Sequence, residues 1–379
     1  MGQRMKAVVK SQPAPGAELR LVNIPQPKPD EVLVKVQATS ICGTDVHIYN
    51  WDPWSQQRIG AKNLPQILGH EVAGEVMEVG REVRQIKVGD YLSAETHIYH
   101  PRDLQTLLGQ SHLGERMKIL GVDCDGAFAE YFAIPESVCW VNDRSIPPEL
   151  ATLQEPLGNA VYAVLGEDND VAGRSMVLIG DGPIALFAVG VARCSGVTQI
   201  FLVGMSEHNM EIGRKMGADY LLDAKRQDKD RVAYIREHTA GYGADIVLEL
   251  TGSKQGVEEG FQMLRRGGRF TAFGIATQST LQIDYNNGIV FKGAQIQGIS
   301  GRKIFDTWYR VRNFLSSGRL DISPVITHMF KLEEYEKGFQ ASLALPRRSA
   351  KVVLFPDEEE LRKAQARMAE KGLAPEGVG

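Results

Sequence analysis

Two short segments concentrate side chains able to do chemistry. ICGTD (residues 41–45) supplies Cys42, and GHEVAGEVMEVG (69–80) supplies His70 and Glu71. A thiolate, an imidazole and a carboxylate are three of the groups zinc takes when one coordination position stays open for catalysis. Any one of them alone would more often be a packed or surface residue. What points to a metal is the pairing of the two segments ahead of a nucleotide-binding pattern. Gly69, Gly74 and Gly80 fit a strand that passes close to another backbone.

That second pattern is VLIGDGPIA, with Gly180, Gly182 and Ala185 spaced as GxGxxA and Pro183 and Ile184 opening the helix. The turn needs a residue without Cβ at Gly180, and a pyrophosphate must approach the backbone at Gly182. A tight strand-to-helix turn can carry the same spacing with no nucleotide. The strand before, the helix after and three further βα units argue for dinucleotide binding. An acidic residue is expected about 20 positions on, to hold the ribose hydroxyls. Gly204 stands there, in FLVGMSEHN. Ser206 and His208 could contact a phosphate, Asn209 lies in the same segment, and Glu207 could serve the ribose. NAD and NADP therefore both remain open.

The elements that must position these groups fall into two kinds. Residues 1–160 begin with short strands (Ala7–Lys10, Leu19–Ile24, Glu31–Ala38, Val72–Val79, Tyr91–Ala94). From residue 161 to 302, strands and helices alternate, including a helix expected over Asp228–His238. The fold class expected is α/β: a Rossmann-type doubly wound parallel sheet plus a β-rich catalytic domain. The length, 379 residues, also favours two domains. A net charge of −4 with 24% charged residues excludes a basic nucleic-acid binder. No apolar run approaches the roughly 18 residues of a membrane span, and MGQRMKAVVK does not read as a secretory signal, so a cytoplasmic location is expected. The four cysteines form no CxxC pair, which fits free thiols rather than a disulfide framework.

GHE-x2-G-x5-G at 69–80, together with ICGTDVHIYNWDPWSQ (41–56), SAETHI (93–98), LQEPLGNAV (153–161) and GISGRKIFDTWY (298–309), resembles the zinc-dependent medium-chain alcohol dehydrogenase family, most closely its threonine-oxidising branch. The resemblance covers about Met5 to Leu354. It implies a GroES-like catalytic domain, completed by residues 303–379, around the Rossmann domain. It also implies a catalytic zinc on Cys42, His70 and Glu71, with Glu155 as alternative ligand or proton relay. Thr44 and His47 match the family's hydroxyl and imidazole relay, and Phe273, Gly274, Ile275, Ile299 and Ser300 match segments framing the nicotinamide. Family members are commonly homo-oligomers, tetramers or dimers.

One departure is plain. The lobe after SAETHI, which in the family carries four cysteines around a structural zinc, reads YHPRDLQTLLGQSHLGER here and has none. One zinc is therefore expected, with the lobe held by packing of Leu104, Leu107 and Leu108 on a short helix over Arg102–Leu108. The substrate expected is a small secondary alcohol, L-threonine first and a polyol or sugar alcohol second. Arg302 could face a substrate carboxylate, or instead pair with cofactor phosphate, and His97 could face the amine or hydroxyl. A catalytically silent nucleotide-binding redox sensor is the non-enzyme alternative. Retention of Cys42, His70, Glu71, Glu155, Thr44 and His47 weighs against it.

Overall fold

Val32, Val34 and Val36 alternate along one face of the strand Glu31–Ile41, and all three are buried. The first half of the chain is assembled around that strand. The computed structural model describes residues 3–226, 230–276 and 280–377. Glu31–Ile41 pairs antiparallel with Glu71–Val79, setting Ser40 opposite Glu71. It also pairs with Tyr131–Pro135 and with the late strand Lys351–Phe355. Across the sheet the order is Cys139–Val141, Tyr91–Ala94, Glu71–Val79, Glu31–Ile41, Lys351–Phe355, Ile326–Lys331. The chain thus returns to its first sheet after leaving it, and Val352 lies opposite Ile41, next to Cys42.

The second sheet has six strands, all parallel: Tyr220–Asp223, Gln199–Gly204, Ser175–Ile179, Ala244–Glu249, Leu264–Ala272, Gln295–Gly298. In chain order this is 3-2-1-4-5-6, the doubly wound arrangement with a ligand crevice at the strands' C-terminal ends. Its central strands are continuous apolar runs such as MVLI and IFLV, as burial on both faces requires. Ser206, Asp230 and Ser253 cap the helices Glu207–Met216, Arg231–His238 and Lys254–Met263, each cap contributing about 1 kcal/mol. The helix expected from Asp228 begins at Arg231, and positions 228 and 229 lie outside the described residues.

The boundary expected at 160/161 falls inside the helix Gln154–Leu165, of which every residue except Asn159 is buried. Leu157, Val161 and Val164 share one apolar cluster with Leu178 and Leu186 of the second sheet's layer and with Val353 and Phe355 of the first. One core therefore couples the two sheets. No described helix is long and apolar enough to cross a membrane.

The cysteine-free lobe is held differently from the expectation. Its helix is a single turn, Leu104–Leu107, and Leu104, Leu107 and Leu108 are 65%, 68% and 67% exposed. All three lie largely in solvent rather than in a packed face. Asp103 does the holding: its Oδ2 accepts from the Arg116 backbone N–H (2.9 Å) and its Oδ1 from Arg116 Nε (2.5 Å). His112 is buried edge-on against Tyr162, ring centroids 5.5 Å apart. Asp103→Ala should open this lobe, so limited proteolysis should cut within residues 99–118 well below the global melting temperature, whereas Leu107→Ala should leave the cleavage pattern unchanged.

Candidate active site

Cys42 follows the strand Glu31–Ile41 and caps the helix Gly43–Asn50, while His70 immediately precedes, and Glu71 begins, the neighbouring strand. Their register brings Cys42 Sγ, a His70 ring nitrogen and a Glu71 carboxylate oxygen within 4.8 Å of one another. His70 Nδ1 faces Asp45 Oδ1 at 3.4 Å, and neither atom has a hydrogen-bond partner among the described residues. Burial resists charging of His70, but Asp45 and Cys42 outweigh it and raise its pKa well above the usual imidazole range. The pocket draws positive charge to itself. That, with the donor set and a carboxylate behind the histidine, is what a zinc site requires.

Glu71 is fully buried and both of its oxygens are engaged, by Lys351 Nζ (2.6 Å to Oε2) and by the Ser40 hydroxyl. Burial would lower the pKa of Lys351, but Glu71 and Cys42 raise it, so the ammonium persists. Glu155 stands outside the 4.8 Å group. Its Oε1 accepts from Arg302 (2.5 Å) and from Thr96 Oγ1 (3.1 Å), and its charge is felt at Glu71. The group that could hold a metal is thus Cys42, His70 and Glu71, with Glu155 beside it. Thr44 Oγ1 lies 4.0 Å from Cys42 Sγ. His47 is 59% exposed, with Nδ1 fixed 2.5 Å from Asp52.

At the second sheet's C-terminal edge, Gly180 adopts φ +125° and its N–H bonds to Val203. A Cβ added at Gly182 would meet nothing within 4 Å, and the helix Pro183–Cys194 that starts there has no side-chain cap. Its free N–H groups and open approach fit a pyrophosphate. The backbone N–H groups of Phe273 and Gly274 donate to the Glu249 carbonyl, and that of Ile299 to Ala272. All three positions therefore lie in one row along the crevice.

Residues 28–143 match the alcohol dehydrogenase GroES-like domain and residues 183–317 the zinc-binding dehydrogenase domain. The chain belongs to the zinc-binding alcohol dehydrogenase family. It is 45% identical to an L-threonine 3-dehydrogenase of Caldanaerobacter subterraneus subsp. tengcongensis over 93% of this chain and 99% of that one. It is also 45% identical to one of Pyrococcus abyssi over 90% and 96%. A putative zinc-binding dehydrogenase of Sinorhizobium meliloti, solved with NADP, superposes with TM-score 0.83 at 27% identity, over 93% of this chain and 100% of that one. This chain is accordingly a zinc- and NAD(P)-dependent alcohol dehydrogenase.

Several site residues expected from sequence have other work in the structure. Arg302 is fully buried. Its Nε donates to Glu95 Oε2 (2.8 Å), one terminal nitrogen to Glu155 (2.5 Å) and Asn159 (3.3 Å), the other to Glu95 and Thr96 (2.9 Å). All its donors are used, so it has none left for a substrate carboxylate or a cofactor phosphate. Ser206 donates to the Arg347 carbonyl (2.6 Å) and caps its helix. Asn209 is fully buried and donates to the carbonyls of Asp181 and Ser349. Both fix the loop, and Asn209 Oδ1 is left buried without a hydrogen-bond partner among the described residues. Ile275 is 86% exposed.

Sequence reasoning missed Glu95 and Lys351, the buried charges that compensate the site. Glu95 accepts from Arg302, Trp308 Nε1 (2.7 Å), the His97 backbone and His97 Nδ1 (both 2.9 Å). Burial would raise its pKa, but Arg302 and His97 bring it down to about 2. His97 is thereby fixed through Nδ1, and its Nε2 has no hydrogen-bond partner among the described residues. A lysine opening the buried strand KVVLF and a glutamate amid buried SAETH were the available signals. Glu95→Gln leaves Arg302 half-compensated and should cost about 3–5 kcal/mol in denaturant unfolding.

Proposed function

We propose that this enzyme oxidises L-threonine at its β-carbon to 2-amino-3-oxobutanoate, passing hydride to a nicotinamide dinucleotide. The identity of 45% to L-threonine 3-dehydrogenases, spread over both domains, carries this reading. Cys42, His70 and Glu71 would hold the zinc, which when bound acidifies a coordinated alcohol. Asp45 lies behind His70, its Oδ1 3.4 Å from Nδ1, where a carboxylate supports a metal-ligating imidazole. Lys351 compensates the buried Glu71 carboxylate. Thr44, beside the thiolate, takes the alcohol proton outward, and His47 delivers it to water from the surface, its ring aligned by Asp52. His97, locked by Glu95, offers Nε2 to the amino-alcohol substrate. One proton and one hydride leave the carbinol, and the ketone forms with no other co-reactant.

Turnover of L-threonine should exceed that of sorbitol and 2,3-butanediol in a substrate panel, and vanish with a chelator. Comparable rates on the polyols with none on threonine would replace this reading by polyol oxidation. Elemental analysis should find about one zinc per chain, lost in Cys42→Ala. Two tightly held zincs, one surviving that substitution, would contradict it.

A second copy of the chain is the proposed partner, in a homo-oligomer. Gln295–Gly298 is an edge strand, paired on one side only, and Ile296, Val290, Phe291 and Tyr285 near it are 49%, 50%, 66% and 67% exposed. An unprotected edge with apolar neighbours is a pairing surface. Ile296→Lys with Phe291→Lys should reduce the mass seen by light scattering, and a wild-type monomer at micromolar concentration would remove the proposal.

A further inference from the structure

The fingerprint carboxylate missing at Gly204 has a replacement from another strand. A Cβ built at Gly204 would lie 2.7 Å from Asp181 Cβ and 2.9 Å from Asp181 Oδ2. The Asp181 side chain therefore fills the space over the second strand's end that a side chain at 204 would otherwise occupy. It is fixed there: Oδ2 accepts from the backbone N–H groups of Met205 (2.8 Å) and Ser206 (2.5 Å). Oδ1 accepts from no group among the described residues, and the residue is only partly buried. Asp181 also sits between Gly180 and Gly182, the phosphate turn itself. One residue thus spans the distance from the pyrophosphate cradle to the tip of the second strand. Of the other polar side chains at that tip, Ser206 is engaged as described above and Asn209 is fully buried, while Glu207 and His208 are exposed on the first turn of the helix that follows.

We propose that Asp181 selects NAD over NADP, its free carboxylate oxygen accepting from the adenosine ribose hydroxyls and repelling a 2′-phosphate. The proposal rests on the nicotinamide-cofactor reading of the Gly180–Gly182 turn. A charged acceptor gives a hydroxyl a stronger bond than a neutral one, and an added phosphate at the same place meets like charge. Gly204 is then no vacancy that admits phosphate. It is the glycine that lets the carboxylate of the neighbouring turn cross to its place. Arg347 and Arg348 are exposed close by, since Ser206 bonds the Arg347 carbonyl. They are the groups that would favour NADP if the carboxylate did not govern the site.

Dissociation constants for NADH and NADPH, from nicotinamide fluorescence of the full chain, test this without turnover. Wild type should bind NADH at least roughly tenfold more tightly than NADPH. Asp181→Asn keeps an oxygen for the Met205 and Ser206 amides while removing the charge, and should narrow that ratio about tenfold, with NADPH binding strengthened. The paired change Asp181→Gly with Gly204→Asp moves the carboxylate to the second strand and should restore the NADH preference. A purely structural role would weaken both dinucleotides alike in Asp181→Asn and leave their ratio unchanged, which overturns the proposal. So does a wild-type preference for NADPH. Binding of neither dinucleotide would overturn this proposal and the cofactor reading together.

Discussion

Everything around the metal site depends on cancelling buried charge. Glu71, Glu95 and Glu155 are at most 5% exposed, and the two cations that answer them, Lys351 and Arg302, are at most 2% exposed. Uncompensated, each buried carboxylate would cost several kcal/mol. Both cations come from far along the chain, Lys351 from the strand that re-enters the first sheet and Arg302 from the segment leaving the second. The catalytic half of the molecule cannot be closed electrostatically until its C-terminal portion has returned. That is a physical reason for the discontinuous domain: the strand Lys351–Phe355 completes a sheet and delivers a counter-ion in one step.

The same network joins substrate chemistry to the cofactor crevice. Arg302 lies just beyond the last parallel strand, Gln295–Gly298, and grips Glu95 and Glu155 across the junction. Glu95 in turn fixes His97 and Trp308. A shift of the second sheet relative to the first would break charge-assisted bonds at zero exposure, where they are strongest and their loss is most costly. The relation between the crevice of the second sheet and the Cys42, His70, Glu71 group is therefore held by a fully buried guanidinium, in addition to the apolar cluster around Gln154–Leu165.

What was legible in the sequence is what depends on local pattern. Cys42, His70 and Glu71 could be singled out by residue type, and the fold brings the three together; the βα alternation from Ser175 onward was legible because a doubly covered parallel sheet needs apolar runs. Lys351, Glu95 and the placement of Arg302 were not legible, since a charge in an apolar run names its partner only through tertiary register. The lobe failed for the opposite reason. Leu104, Leu107 and Leu108 have helical spacing, but spacing identifies a face and not what covers it, and here nothing among the described residues does. Gly204 misled in a third way, because its meaning lies in the side chain of Asp181, 23 positions earlier in the sequence and one strand away in space.

The lobe and the catalytic site consequently respond to different insults. Asp103 holds Arg116 through one backbone and one side-chain bond to a carboxylate that these bonds, opposed by its partial burial, keep below the usual range. Neither a chelator nor a thiol oxidant touches that pair. A lobe clamped by four thiolates on a metal would loosen under either reagent, because the ligands must stay deprotonated and reduced. In this chain the cysteine of the candidate site is Cys42, set on a helix N-terminus beside Thr44 and grouped with His70 and Glu71. Where relatives place thiolates, this lobe is held by a carboxylate–guanidinium pair, whose strength depends on neither metal nor thiol redox state.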